Sequence, residues 1–397
     1  MSGLLQSALG AQNQNFGIEV SVEGQTIREF SRVNGSISAE STEQTISFEV
    51  FRDSPPKSPV YPWLKDGKQA TVKIGGSIVL TGEVESRRGE GKKDSYRLTF
   101  TVKSKPKKGQ KSHAKIGKGQ RKNTTPKKLI DEIAKNAGLT VKYKNVEDEE
   151  IKQHIILGDV TADKEIKNIA RDRGYLVYAD HDGHIRVESE DAGDTGCDLI
   201  VGENIIEFNV GQTQEKKRGK IKATGTRVLS KETNRKGTLT PQGIVQMKNV
   251  KIEGDWVVWV DGDHTPKSVK RRAKYEANRR DAASKTVSVT TFGLTAPDGK
   301  AYRVNNQHYV EVPSESVYDM LRLKSLEFTA SKDEITTTLS LGPIKSLTNK
   351  LGGASGAAKA KSAVKRQQAG AKIVPGQYPE DWNAAAADDV PAGDDWS

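Results

Sequence analysis

The chain has 397 residues, of which 34% are hydrophobic and 6% aromatic; at about 150 residues per domain this predicts two or three small cores and excludes one large enzyme-like interior. The formal net charge of +11 suits nucleic acid, a membrane surface or an acidic protein and decides among none of them. The single cysteine, Cys197, excludes an intrachain disulfide framework and a thiolate-based metal site, while Met1 to Gly17 lacks a signal-peptide pattern and no stretch nears the ~20 apolar residues of a membrane span.

The first 15 residues carry no periodic pattern. From Phe16 to Val102 apolar residues alternate as they do in strands: Ile18, Val20 and Val22, then Ile46, Phe48 and Val50, then Val72 and Ile74, then Ile78, Leu80 and Val84, then Leu98, Phe100 and Val102. Glu23-Gly24 and Gly75-Gly76 supply turns. About six short strands without a helical period predict a small antiparallel β-barrel over residues 16–104.

Lys103 to Lys128 holds eleven Lys or Arg and no Asp or Glu. Like charges at that density resist compaction, so the stretch reads as an exposed basic loop. Lys105, Lys107, Lys108, Lys111, Lys115, Lys118, Arg121 and Lys122 are its candidate electrostatic contacts. Thr125-Pro126 then starts a helix with Leu129, Ile130, Ile133, Ala134 and Ala137 on one face, and Gly138 stops it. A second helix begins at Thr161, carries Ile166, Ile169 and Ala170, and ends at Gly174. Leu176 to Ala179 and Ile185 to Val187 form a hairpin through Asp182-Gly183. Residues 105–192 therefore read as a smaller α+β domain.

After Cys197 strands resume at Leu199 to Val201, Ile205 to Val210 and Lys220 to Thr224. Residues 226–246 are polar and read as a long loop. Trp256 to Val260 is a further strand. A helix from about Pro266 carries Val269, Ala273, Ala277 and Ala282 among Lys270, Arg271, Arg272, Arg279 and Arg280. Strands follow at Val287 to Phe292, His308 to Val312, Leu323 to Thr329 and Ile335 to Leu341, giving a second β-barrel over residues 193–346 with one inserted helix. The two strand-rich parts end in the same order and spacing, which predicts internal duplication. The fold class expected is thus α+β, mainly β, with two similar antiparallel β-barrels and a smaller α+β domain between them. Residues 347–397 are rich in Gly, Ala and Ser; six acidic and no basic residues follow Lys372. Such a segment cannot offset its ordering entropy and reads as a flexible acidic arm.

No reactive constellation is legible. Asp180-His181-Asp182-Gly183-His184 places four ligand-type side chains in five positions, but not in the twelve-residue register of an EF-hand, and Asp-Gly marks it as a solvated hairpin tip. The glycines beside Lys118 lack phosphate-loop order, and no Gly-x-Ser-x-Gly, His-Glu-x-x-His or Gly-x-Gly-x-x-Gly occurs. No catalytic residue, metal site or cofactor is assigned. Nucleic-acid binding through Lys103 to Lys128 and the Arg-rich helix is the main rival, although the basic stretch has no aromatic residue on which bases could stack. An enzyme is the third reading.

Three passages, in order, resemble the Mu-like phage baseplate hub family. They are Ile74-Gly-Gly-Ser-Ile-Val-Leu-Thr-Gly-Glu-Val-Glu-Ser-Arg-Arg88, Leu199-Ile-Val-Gly-Glu-Asn-Ile-Ile206, and Arg279-Arg280 leading into Val287-Ser-Val-Thr-Thr-Phe292 and Tyr302-Arg-Val-Asn-Asn306. The likeness spans about residues 16 to 345. It implies a non-enzymatic virion structural protein, assembled in the host cytoplasm and placed in the tail baseplate. It also implies a homotrimer of two-barrel subunits, six quasi-equivalent units adapting a threefold spike to a sixfold tail tube. The partners implied are the central spike, tail tube or tube-initiator proteins, baseplate wedges and the tape-measure protein, with no membrane insertion by this chain. Arg87, Arg88, Arg279 and Arg280 are the candidate interface residues.

Overall fold

The computed structural model describes residues 13–156, 159–189, 193–212, 219–228, 238–247 and 254–343. The C-terminal segment expected as a flexible arm, and most of the N-terminal segment, lie outside them.

The alternation in the first third becomes seven strands: β1 (Ile18–Val22), β2 (Gln25–Ile27), β3 (Arg32–Ser38), β4 (Thr45–Arg52), β5 (Gln69–Ile74), β6 (Ser77–Lys92) and β7 (Ser95–Ser104). Their inward positions are shielded from water; Ile18, Val20, Ile46, Phe48, Leu98, Phe100 and Val102 are all essentially buried. Each such side chain contributes about 1.5–3 kcal/mol through its removal from water. Phe48 stacks on Phe100 with ring centroids 4.9 Å apart and meets Phe30 at 5.1 Å. The period of two thus reports one buried face, as an antiparallel sheet requires.

The middle third adds β8 (Gln120–Thr124), α1 (Pro126–Asn136), β9 (Val141–Lys144), β10 (Ile151–Ile155), α2 (Ala162–Arg171), β11 (Leu176–Ala179) and β12 (Ile185–Glu188). Thr125 and Thr161 cap the helices by accepting from the Lys128 and Lys164 N–H groups, and Gly138 and Gly174 leave them with φ +69° and +75°. Leu129, Ile130, Ile133, Ile166, Ile169, Ile185 and Val187 form a core separate from that of the large sheet. The basic stretch expected as an exposed loop departs from that reading. Lys105–Lys107 and Lys108–Lys111 are helical turns, and Gln120–Thr124 is a strand paired with β10. Buried Pro106, Gly109, Ile116 and Thr124 anchor it, and acidic neighbours distant in sequence neutralise part of its charge.

The last third comprises β13 (Leu199–Ile200), β14 (Ile205–Gln212), β15 (Lys220–Val228), β16 (Thr238–Leu239), β17 (Gln242–Gln246), β18 (Asp255–Asp263), α3 (Pro266–Ser284), β19 (Lys285–Phe292), β20 (Gln307–Val312), β21 (Val317–Ser331) and β22 (Ile335–Pro343). The polar stretch expected as a loop over 226–246 instead holds the end of β15, β16 and β17; residues 229–237 lie outside the described residues. β15 to β18 form their own four-stranded sheet, with Ala223 and Val260 against Val269 and Ala273 of α3. The Trp256 to Val260 strand therefore belongs to this side sheet and not to the main one.

Two closed barrels were expected. The chain is mainly β with two strand-rich halves, but hydrogen bonding joins them into one thirteen-stranded sheet in the order β14-β19-β22-β21-β3-β4-β7-β6-β5-β1-β2, with β20 beside β21 and β13 beside β20. No closure of either half is found among the described residues. The reason lies in β21, whose last seven residues pair with β22 on one side and with β3 on the other, from Ser325 opposite Ser38 to Ser331 opposite Arg32. A sequence pattern shows which residues face inward but not which edge meets which.

The halves share one pairing order. In the first, β3, β4, β7, β6 and β5 are successive neighbours; in the second, β14, β19, β22, β21 and β20. Both central hairpins carry a bulge at the same place, the extra residue being Glu85 between Val84 and Ser86 in β6, and Lys324 between Leu323 and Ser325 in β21. Where the halves meet, Gly35 sits opposite Phe328, and a Cβ there would come within 2.2 Å of the ring. Gly35→Ala is expected to destabilise the protein by about 1–3 kcal/mol through overpacking, with much of the loss recovered in the Gly35→Ala, Phe328→Leu double variant, as urea unfolding would measure.

Candidate interaction surfaces

The basic stretch lies between the first half and the α+β lobe, and its charges divide into two groups. Lys107 pairs with Glu85, Lys108 with Glu83 at 2.5 Å, Lys111 with Glu85 at 3.7 Å, and Arg121 with Glu132 at 2.6 Å. Arg121 is forked, its Nε and Nη2 both donating to that carboxylate, which holds the Glu132 carboxyl below the usual range. Lys115, Lys118 and Lys122 are exposed, and none has an ion pair among the described residues; Lys105 is half-buried. Two strand carboxylates on β6, Glu83 and Glu85, are thus what hold this segment to the sheet.

The arginine candidates do not form one site. Arg87 turns inward on β6 and donates to the Val60 carbonyl at 2.9 Å, so it ties down a loop of its own chain. Arg88 is exposed on the opposite face and pairs with Glu90 at 2.8 Å. On α3, Arg279 is exposed, whereas Arg280 lies 3.8 Å over the Trp256 ring and donates to Glu276 at 3.1 Å. More than two turns earlier on the same helix, Arg271 carries a different role. It is buried, donates to Glu147 and Glu149 at 2.7 and 2.6 Å and to the Tyr175 hydroxyl at 3.0 Å. This ties the side sheet's helix to the α+β lobe. The Glu147-x-Glu149 pair in a strand-free stretch gave no hint of it, because its partner is over 120 residues away.

The hairpin tip is not fully solvated. Asp180 is buried, and Gly183 runs against the Thr81 backbone of β6, a Cβ there lying 3.1 Å from the Thr81 carbonyl oxygen. Burial opposes ionisation of Asp180, but His181 at 2.8 Å, the Asp182 N–H at 2.9 Å and Arg186 at 3.0 Å outweigh it and hold its carboxyl well below the usual carboxylate range. Asp180, His181 and Asp182 bring ligand atoms within 4.8 Å of one another. Those atoms already satisfy each other and Arg186, so the cluster reads as an internal ion-pair network. Beside it Tyr178 and Asn305 both donate to Glu188 at 2.5 Å, and Gln44 donates to the Ala179 carbonyl at 2.5 Å. A cavity of about 240 Å³ lies among these residues, lined also by Ile37, Tyr302 and Arg303. It is the seam where the lobe rests on both halves of the sheet.

Away from this seam, Cys197 Sγ stands 3.6 Å from His308 Nδ1, which also meets the Cys197 carbonyl oxygen at 3.0 Å. Burial pushes the Cys197 thiol up to about 11, so it stays protonated near neutral pH, and its neighbour His308 is buried with its own basicity lowered by burial. No helix of the described residues is long and apolar enough to cross a membrane.

No protein-family model matches the chain. It is 25% identical over 311 residues to the baseplate hub protein gp44 of Escherichia phage Mu, covering 75% of this chain and 80% of the Mu protein. The chain resembles a Mu-type baseplate hub. Among solved structures, the 43 kDa tail protein of prophage MuSo2 from Shewanella oneidensis superposes with a TM-score of 0.72 at 17% identity, covering 84% of this chain and 99% of that one. A tail protein of Neisseria meningitidis MC58 gives 0.68 at 17% identity, over 83% and 97%. These two show the shared fold.

Exposed apolar groups mark candidate contact surfaces more clearly than exposed charges do. Two clusters stand out among the described residues: Ile206, Phe208 and Phe292 on β14 and β19 at one end of the main sheet, and Ile244, Val257 and Trp259 on the open face of the side sheet; Ile155 on β10 and Trp256 beneath Arg280 lie apart from them. Neither was singled out in the sequence, because apolar residues in strands are read as core by default.

Asp180→Asn removes the charge that Arg186 and His181 share. The expected cost is about 2–3 kcal/mol at neutral pH, as a half-buried guanidinium loses its partner. Since the folded pKa lies below the unfolded value of about 3.9, the carboxylate's contribution is complete above that value and is lost as pH falls toward the folded one. Urea unfolding of native and variant chains should therefore differ most above pH 5 and converge under strongly acidic conditions.

Proposed function

We propose that the protein is a structural hub of a contractile phage tail, a homotrimeric ring in which each chain supplies two similar β modules. One observation carries the reading: the strand order and the bulge position of the first half recur in the second. Three such chains present six like modules, so one face can match a threefold spike and the other a sixfold tube. The domain plan offered is a first hub module over 16–104, an α+β lobe over 105–192 and a second hub module over 193–346. A joint of this kind works through contact area and shape.

In this role the partners are the central spike, the tail tube or its initiator, the baseplate wedges and the tape-measure protein. The chain sits in the virion tail baseplate after assembly in the host cytoplasm, and it is not an enzyme. The likeness to the Mu hub protein supports the tail assignment; the trimer and the partners are what that resemblance implies, and the duplicated strand order accords with a ring of six like modules.

Nucleic-acid binding is the weaker reading, because Lys107, Lys108, Lys111 and Arg121 are engaged by Glu83, Glu85 and Glu132. Light scattering of the purified chain is expected to give three times the monomer mass of 43.4 kDa, with ring-shaped particles by negative stain. Filter binding to DNA should be weak and near background at 200 mM salt; tight binding that falls steeply with salt would favour the rival.

A further inference from the structure

Most charged groups around the seam cavity are already matched. Asp180 is held by His181 and Arg186, Asp194 by Lys144 at 3.1 Å, and Glu188 by the Tyr178 hydroxyl and the Asn305 amide. Arg303 is the exception. It lines the same cavity and is half-buried, and its side chain has no hydrogen bond or ion pair among the described residues. Burial lowers its basicity, and the charges of Asp180 and Asp182 oppose this only through space. A guanidinium taken partly out of water without a partner is costly unless something supplies one.

Two further lining residues have the converse need. The Gln44 amide donates to the Ala179 carbonyl and the Asn305 amide to Glu188, contacts that fix which end of each amide is the nitrogen. Their carbonyl oxygens have no partner among the described residues, although both residues are only 1% exposed. Buried acceptors in that state are rare and point to a donor that completes them. The cavity of about 240 Å³ has room for roughly eight waters at ~30 Å³ each. Water serves the oxygens but brings no charge to Arg303. Ile37, Val79 and Val304 give the same space an apolar side, and the exposed side chains of Lys144 and Asp194 mark where it meets solvent.

We propose that the seam cavity receives the C-terminal residue of a partner polypeptide, with its carboxylate on Arg303, its backbone N–H toward the unmet oxygens of Gln44 and Asn305, and an aliphatic side chain against Ile37, Val79 and Val304. A chain terminus brings a carboxylate, an N–H and an apolar group together within one residue, and an arginine fork suits the carboxylate. An inorganic anion would match Arg303 alone. The lining residues come from the first half, the α+β lobe and the 302–306 turn of the second half, so an occupant fastens all three. This adds a partner site to the hub reading and does not depend on the ring.

The test titrates the full chain by calorimetry with N-acetyl-L-leucine, a small probe that carries all three groups. Two further probes each lack one: N-acetyl-L-leucinamide has no carboxylate, and 4-methylpentanoate has no N–H. N-acetyl-L-leucine is expected to bind saturably, and each of the others roughly tenfold more weakly. Arg303→Gln should abolish the preference for the acid over the amide and leave the affinity for the amide unchanged, while Arg303→Lys should keep part of that preference. Urea unfolding of both variants checks that they fold, and the probe series on the native chain needs no variant. Absence of saturable binding of N-acetyl-L-leucine up to roughly 10 mM overturns the site. Equal binding of acid and amide overturns the role of Arg303. Equal binding of 4-methylpentanoate makes the site one for small carboxylates and overturns the polypeptide terminus. Each of these outcomes leaves trimer formation, and with it the hub reading, untouched.

Discussion

The backbone ladder between β3 and β21 is the interaction on which the architecture depends. Its strands are nearly 300 residues apart in sequence, since Asn34 lies opposite Thr329, and their pairing turns two meanders into one sheet. Without it each half would present an open edge at the point where it now meets the other. The ladder admits little variation, because the ring of Phe328 fills the space a side chain at Gly35 would take. Pairing of such long sequence separation forms only after a large loss of chain entropy, so the local hairpins, β6–β7 and β21–β22, are the natural first elements to fold.

The remaining lobes are held by polar contacts at their seams and by apolar cores inside. The α+β lobe rests on the sheet through the bond from Thr42 to Asp163, the bond from Gln44 to the Ala179 carbonyl and the Asn305–Glu188 contact, around a small apolar centre of Ala39, Leu176 and Tyr178. Arg271 ties the side-sheet helix to the same lobe. Buried polar contacts of this kind add little net stability but penalise any other docking, since a misplaced lobe would cost buried Thr42, Gln44 and Arg271 the partners named above. The net charge of +11 therefore says less about an external partner than it first suggests: part of the basic excess faces carboxylates of the same chain.

Much of the local structure was legible. The alternation of Ile46, Phe48 and Val50 or of Leu98, Phe100 and Val102 marks a strand with one dry face, and Thr125-Pro126 and Thr161 mark helix starts, because both signals are written in neighbouring residues. The resemblance to phage tail hubs could be read from ordered passages although none carries chemistry. The basic stretch and the polar segment around β17 were misjudged for one cause. Composition predicts repulsion or solvation, but Glu83, Glu85 and Glu132 cancel the first, and pairing with β15 overrides the second.

Outside the basic stretch and the 226–246 segment, the sequence by itself determined the element types, the inward faces, the helix caps and the likeness between the two halves, since period, cap chemistry and spacing are local properties. Only the tertiary structure decided that the halves form one continuous sheet, that Trp256 to Val260 belongs to a side sheet, that Asp180 is an internal ion-pair partner, and which edges remain open. The physical reason is that backbone hydrogen bonds between strands are blind to side-chain identity. Any edge can in principle pair with any other, and the choice is made by which faces must be dry and which charges must meet once the whole chain is in place.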